Sequence, residues 1–436
     1  MARSTDAAGR SSAGTIGGAH AIGIVDALRV KPGLVRVSAV FLTLLGMVLI
    51  CAGPWYNWQD WGVIWSGGAT VGGPNLVDAT RHYEWQMAHG ILTSFWKYPP
   101  ATAWLFWPFA QLPVDVTYWL QAVLILGCIV AAGRLAASIY GLTPELGILA
   151  ALAWAPCTES VATGQNAPFA LLLALLAIWA LKSERPWLAG AAVGLLLYKP
   201  TLALGLIFLF LIRGRWRELG VVVVSGGVVF LLSVAAAGGD WNWLATWIEG
   251  ARRSFPDDAI YNADKAVTLP GLLSRLPVPW FVPVLGAVAV AVPALPGLRR
   301  AGIVEAASAA CLLGLAAGPR AWGYEAALAF PFVCWVLAGG IAEPWRTRLI
   351  VVAYLMCPGW MISLYIGLNS IAVVVLAAAL IWIWRWRPWQ SPRPVSWWAA
   401  LWRSRPPWMT PGTGQGSESR PRTSPRRTGP PTLRPL

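Results

Sequence analysis

The sequence predicts an all-α polytopic membrane protein, and three observations carry that prediction. Of 436 residues, 57% are hydrophobic and only 12% charged, with a mean hydropathy of +0.58; a soluble domain would carry about twice that charged fraction. Apolar runs recur along the chain, separated by short polar or Pro/Gly stretches. The formal net charge of +14 is concentrated at the two ends rather than spread over the chain.

Residues 1–36 hold Arg3, Arg10, Arg29, Lys31 and Arg36 against Asp6 and Asp26; residues 385–436 hold ten Arg against Glu418. The Gly/Ala/Ser-rich segment 1–36 reads as a disordered basic tail, and the Pro/Arg-rich segment 387–436 as a second. The second suits anionic lipid headgroups, with Ser396–Arg403 touching the inner leaflet. It has no folded reader module, which argues against a nucleic-acid partner. The six cysteines (Cys51, Cys128, Cys157, Cys311, Cys334, Cys357) lack disulfide or zinc spacing and read as small apolar residues.

Residues 37–386 form the expected membrane domain. Val37–Gly53 reads as an uncleaved first span, because no small-residue cleavage site follows Ala52 and Gly53. Further apolar segments lie near 116–134, 145–157, 167–181, 186–198, 201–213, 219–237, 279–297, 302–317, 325–341, 347–366 and 369–384, about twelve in all. Several are shorter than the ~20 residues of a full span, notably the pair meeting at Lys199-Pro200. Such broken helices are tolerated where they line an internal cavity.

Alternating these segments from a cytoplasmic N-terminus collects Arg134, Lys182, Arg185, Arg213, Arg215, Arg217, Arg299, Arg300, Arg346, Arg348 and both tails on one side. The positive-inside rule then puts both termini in the cytoplasm. Most carboxylates, including Asp60, Asp78, Glu159 and Glu325, fall on the other side. So do two long Trp- and Pro-rich segments, 54–115 and 238–278, which read as interfacial amphipathic helices roofing a cavity. Chemistry is therefore expected on the outer face of the plasma membrane.

The first outer segment contains Asp78-Ala-Thr-Arg81-His82-Tyr83 and then Phe95-Trp-Lys97-Tyr98-Pro99-Pro100. A carboxylate followed by cations and aromatics suits a base that meets a sugar and a phosphate. Asp78 fits a helix N-cap equally well, and Asp60, in Trp58-Gln59-Asp60-Trp61, is a second carboxylate in the same segment. Lys199, closing an apolar segment, is a cation for a phosphate or a snorkelling lysine; Arg320 is the next cation, with Arg81 and Lys97 behind it. Gln165 and Asn166 offer neutral hydrogen bonds to sugar hydroxyls or cap the following helix. Tyr83, Tyr98 and Trp322 offer flat faces to a pyranose ring or a polyprenyl chain, or serve as interfacial anchors. Glu325 suits a sugar hydroxyl, as do His82 and His89. In the second outer segment Asp257, Asp258, Tyr261, Asp264 and Lys265 fit acceptor choice or a solvated loop. There is no Asp-x-Asp in an outer loop, so no obligatory metal is expected.

The order Asp78…His82-Tyr83…Gly90…Phe95-x-Lys97-Tyr98-Pro99-Pro100, then Pro108…Leu112-Pro113, resembles the start of glycosyltransferase family 87. Gly164-Gln165-Asn166, Gly190…Gly194…Lys199-Pro200 and Pro319-Arg320-Ala321-Trp322-Gly323-Tyr324-Glu325 are similar to its G-Q-x-N, G…K-P and S-P-x-S-W-x-H-H patterns. Ala79 follows Asp78 where the family has a larger residue, and Tyr324-Glu325 replaces its His pair. The resemblance implies a GT-C-type fold of about 12 transmembrane helices and an inverting transfer of mannose from a polyprenyl-phosphate donor. The acceptor would be a lipid-linked or cell-envelope glycan, the product an α-mannoside, and Asp78 the general base. An arabinofuranosyl or other pentosyl transferase is the alternative within that chemistry; a lipid or sugar transporter or flippase, or a family member without catalysis, lies outside it.

Overall fold

The computed structural model describes residues 58–91, 94–261, 266–279, 281–341, 345–356 and 368–387. The chain divides into two compact units, Met1–Gln390 and Ser391–Leu436, and every described residue belongs to the first. Residues 1–36, the segment Val37–Gly53, Asp264, Lys265 and the C-terminal tail beyond Arg387 lie outside the described residues.

The described residues are helical, with a lone bridge between Ala266 and Trp322. The longer helices are α1 (Trp58–Ala69), α2 (Ala79–Ala88), α3 (Val114–Tyr140), α4 (Pro144–Leu152), α5 (Ala155–Thr163), α6 (Ala167–Lys182), α7 (Pro186–Leu195), α8 (Pro200–Ile212), α9 (Trp216–Ala236), α10 (Trp243–Tyr261), α11 (Phe281–Arg300), α12 (Ile303–Ala317), α13 (Phe330–Leu337), α14 (Trp345–Met356) and α15 (Leu368–Trp386). Proline explains why so many are short. Pro144, Pro156, Pro168, Pro186, Pro200 and Pro331 each sit in the first two helical positions, where a missing N–H leaves nothing unpaired and the fixed φ starts a new helix.

Among the described residues, α3, α9 and α11 are long and apolar enough to cross a membrane, and α4 with α5, bent by 59°, makes a fourth candidate. The segments α6, Pro186–Tyr198, α8, α12, Gly323–Leu337 and Ile371–Trp386 are apolar but shorter. Helix α12 is the centre of the bundle, packed against α6, α8, α11, α13 and α15, and it is buried continuously from Glu305 to Leu313. Its small residues let neighbours close in: a Cβ on Gly314 would lie 2.7 Å from Gly205 Cα of α8.

The two ends of the bundle differ in chemistry. At one, basic side chains cover helix-terminal carbonyls. Lys182 Nζ donates to Ile139 O (2.5 Å), and Arg213 donates from Nε to Leu298 O (2.7 Å) and from Nη2 to Ala301 O (2.6 Å). Glu305 accepts from Trp384 Nε1 and Arg387 Nη1 at the same end. At the opposite ends of these helices lie the α5–α6 turn, Lys199 before α8, and the stretch 318–325 after α12.

Candidate active site

The second end is assembled from five separate stretches of chain. Trp61 in the first turns of α1 is fully buried, its Nε1 donating to Val114 O and Thr117 Oγ1, both at 3.2 Å. Gly164 closes α5 at φ +72°, and a Cβ there would strike Trp61 Cβ at 2.7 Å; glycine satisfies both the left-handed turn and the close approach. The first turn of α1 thus lies against Gly164 and Gln165. Trp96, fully buried, anchors the loop at 94–99, and Trp247 Nε1 of α10 donates to its carbonyl at 2.8 Å. Thr102 Oγ1 donates to Tyr198 O (3.1 Å) and Tyr198 OH donates to Asn166 O (3.1 Å), fixing Lys199 beside that loop. Val267 N donates to Ala321 O (2.9 Å), holding the stretch 320–325 to the second Trp-rich segment.

The side chains brought together form one polar chain. Gln165 Nε2 donates to Asp60 Oδ2 (3.0 Å), and Tyr98 OH donates to Gln165 Oε1 (3.3 Å). The Lys199 ammonium lies 5.3 Å from the Tyr98 ring centre and 5.1 Å from that of Tyr324, and pairs with Glu325 Oε1. Glu325 Oε2 accepts from Trp322 N (2.8 Å). The Trp322 ring carries Arg320 at 4.4 Å and Lys97 at 5.7 Å, a cation–π arrangement. Burial favours the neutral phenol of Tyr98 and raises its pKa above the usual value, while Lys199 opposes this and Glu325 and Asp60 add to it. Asn166 is 3% exposed, and among the described residues its Nδ2 makes no hydrogen bond of ordinary geometry, although its side chain faces Tyr98.

Of the sequence-derived candidates, Gln165, Asn166, Tyr98, Lys199, Arg320, Trp322, Tyr324 and Glu325 therefore meet at one place. Asp78, Arg81, His82 and Tyr83 do not join them by any described hydrogen bond or ion pair. Asp78 is the N-cap of α2: its Oδ1 accepts from Thr80 N (3.0 Å) and Arg81 N (3.1 Å), and its Oδ2 lies 3.8 Å from Arg81 Nε. Its side chain is 41% exposed and that of Arg81 57%. His82, expected at a sugar, is fully buried instead, with Nδ1 at 3.2 Å from Asn75 O and Nε2 at 3.2 Å from Ser66 Oγ. Desolvation lowers its pKa to about 4, with the Asn75 carbonyl opposing the shift. Tyr83 OH hydrogen-bonds Ser254 Oγ (3.0 Å), tying α2 to α10, and His89 stacks on Trp85 with 3.9 Å between ring centres.

Two residues gain importance that the sequence reading gave little weight. Asp60 joins the polar chain, and its charge acts on Tyr98, Lys199 and Tyr324. Glu159, 9% exposed, has its carboxylate oxygens 3.1 Å from where a Gly323 Cβ would sit. Its signal was position, six residues before Gln165 on the helix that Gly164 ends. Among the described residues no three His, Cys, Asp or Glu side chains gather as a metal site.

The pattern of glycosyltransferase family 87 matches residues 96–319, just over half of the chain and including every motif from Trp96 to Pro319. Asp60 and Asp78 both precede that match. A curated relative from Mycobacterium tuberculosis (strain CDC 1551 / Oshkosh), the polyprenol-phosphate-mannose-dependent alpha-(1-2)-phosphatidylinositol pentamannoside mannosyltransferase, is 27% identical over 306 residues, 67% of this chain and 68% of the relative. No solved structure matches. With its all-helical bundle and the converging Gly164-Gln165-Asn166, Lys199-Pro200 and Pro319–Glu325 motifs, the chain belongs to glycosyltransferase family 87, a family of membrane glycosyltransferases.

Proposed function

We propose that this protein is an inverting glycosyltransferase that moves mannose from a polyprenyl-phosphate donor to a glycolipid or other cell-envelope glycan, forming an α-mannoside without a metal. The observation that carries the proposal is the polar chain running from Asp60 through Gln165 and Tyr98 to Lys199 and Glu325. It sets a carboxylate and a group of cations at one end of a membrane bundle. The donor class is that in the name of the 27% identical relative.

Within this reading Asp60, rather than Asp78, is the general base. It takes the proton of an acceptor hydroxyl as that oxygen attacks the anomeric carbon. The bond from that carbon to the phosphate oxygen breaks on the opposite face, so configuration inverts and a β-linked donor gives an α-linked product. Negative charge grows on the departing lipid phosphate, where Lys199 and Arg320 stabilise it in a water-poor setting. Asn166 Nδ2 is a buried donor suited to a sugar hydroxyl, and the Trp322 and Tyr324 rings suit a pyranose face.

A groove of about 390 Å³ supports a lipid donor. It is lined by apolar residues of α8, α11 and α12, among them Leu204, Phe208, Ala291 and Leu313, and its lining includes Gly318. Gly318 lies two residues before Arg320, and α8 begins right after Lys199, so an isoprenoid chain in the groove would bring its phosphate to both cations. About twelve spans, cytoplasmic termini and a site on the outer face of the plasma membrane complete the proposal, as do anionic lipids against the C-terminal tail.

Membranes carrying wild type, Asp60→Asn or Asp78→Asn, incubated with radiolabelled polyprenyl-phosphate mannose and, separately, the arabinose donor, test the reading. Mannose transfer lost in Asp60→Asn and kept in Asp78→Asn is the expected result. Use of the arabinose donor alone replaces the hexose with a pentose, and failure to use either donor overturns the proposal.

A further inference from the structure

Glu325 stands where the family pattern ends in histidine, and both of its oxygens are occupied. One pairs with Lys199 and the other accepts from Trp322 N, with the Glu325 side chain 3% and the Lys199 side chain 13% exposed. The lysine is held between the Tyr98 and Tyr324 rings, so neither partner can turn away into solvent. Among the described residues the charged groups around this pair include Lys97 and Arg320 on the Trp322 ring, Asp60 beyond Tyr98, and Glu159 beside Gly323. Arg275 also lies close by, donating from Nη2 to the carbonyl of Ala266, which bridges to Trp322, and Glu325 is the carboxylate paired directly with Lys199. Lys199 still has N–H donors for a phosphate oxygen while it holds Glu325, but the positive field it offers is offset.

That balance bears on the order of events in the proposed reaction, and the argument rests on that reading. The donor is a phosphodiester with one negative charge. The lipid left behind is a phosphomonoester, which at pH 7 carries between about −1.5 and −2. Coulomb attraction scales with ligand charge, so a strongly positive site in a low-dielectric setting would grip the spent lipid harder than the donor. We propose that Glu325 acts through Lys199 to limit the site's positive charge, so that the cations favour the more highly charged phosphomonoester over the monoanionic phosphodiester only modestly and the spent lipid can leave. Glu325 is in this sense a positioning residue that determines specificity between donor and product.

The test is direct binding, which needs no turnover. Purified full-length wild type, Glu325→Gln and Glu325→Asp in detergent are titrated with a polyprenyl monophosphate and with its methyl diester, a monoanion with no sugar to transfer. Wild type should bind the monoester less than tenfold more tightly than the diester. In Glu325→Gln, which keeps an oxygen for Trp322 N, the preference should move toward the monoester by about tenfold or more; Glu325→Asp should restore it toward wild type. A purely structural role would weaken both lipids alike, and an unchanged ratio in Glu325→Gln overturns the inference while leaving the function proposal standing. So does wild type binding the monoester tenfold more tightly than the diester, even if Glu325→Gln does not fold. Binding of neither lipid by wild type overturns the donor reading, and this inference with it.

Discussion

Two helices in the first Trp-rich segment start at Trp58 and Ala79, and each carries an aspartate in or just before its first turn, where a negative charge suits the helix dipole. Their surroundings separate them. The oxygens of Asp78 are taken up by its own helix, through Thr80 N, Arg81 N and the Arg81 guanidinium. Asp60 instead accepts from Gln165, 105 residues away, and its charge reaches Tyr98, Lys199 and Tyr324. A carboxylate whose partners are all local shapes its own turn. One whose partners come from distant stretches belongs to whatever those stretches assemble.

The sharpest way to break the comparison is to neutralise each aspartate in turn. Asp60→Asn should lower kcat by about 10²–10⁴, the usual span for a positioned general base, with little change in thermal stability. Asp78→Asn should leave kcat within a small factor of wild type, since asparagine caps helices about as well as aspartate. A large kcat loss in Asp78→Asn with Asp60→Asn active would reverse the assignment.

Lys199 comes next. Lys199→Met leaves Glu325 buried without its counter-charge, which should destabilise the protein by about 3–5 kcal/mol as read from thermal unfolding in detergent. Adding Glu325→Gln should restore most of the stability, because no unpaired charge remains, yet it should not restore transfer. A double variant that regains activity would remove Lys199 from phosphate stabilisation.

Much of this was legible in the sequence. The prolines that begin six helices could be read directly, and so could the motifs around Gln165, Lys199 and Trp322, because each is a short run whose backbone demands are local. Gly164 is an example: its positive φ and its contact with Trp61 both require glycine. What could not be read was which loop residue reaches the motifs. The Asp60–Gln165 hydrogen bond depends on how α1 packs against α5, and a run such as Trp58-Gln59-Asp60-Trp61 carries no sign of it. His82 misled for the same reason, since a histidine in a polar run looks exposed until Ser66 and Asn75 fold over it. Helix count was the other gap, because proline-broken pairs such as α4 and α5 register as one span by hydropathy and two by geometry.

The burial of His82 gives a pH-dependent contrast between α2 and the polar chain. Its folded pKa of about 4 lies below the ordinary value of 6.5. Above 6.5 the ring is neutral in both states and the stability is full. As pH falls from 6.5 to 4 the unfolded chain takes up a proton that the folded one refuses, so stability drops, by about 3 kcal/mol in total. Comparing wild type with His82→Gln isolates this term from the carboxylates that titrate in both. The stability gap between them should narrow steadily from pH 7 to pH 4, and a constant gap would mean that His82 is not buried.

The smallest expected effect is the most specific to Asp78. Alanine at this position removes the acceptor of two N-terminal N–H groups of α2 and the partner of Arg81, so Asp78→Ala should lose about 1 kcal/mol of stability, whereas the exposed ion pair itself contributes little. Because α2 meets α10 through Tyr83 and Ser254, the loss should appear first as faster hydrogen exchange in α2 and around 250–254, with exchange near Gln165 and Lys199 unchanged. Transfer activity should stay near wild type at low temperature and fall only as α2 frays on warming. A temperature-independent loss would instead place Asp78 in the chemistry, and the distinction between the two helix starts would fail there.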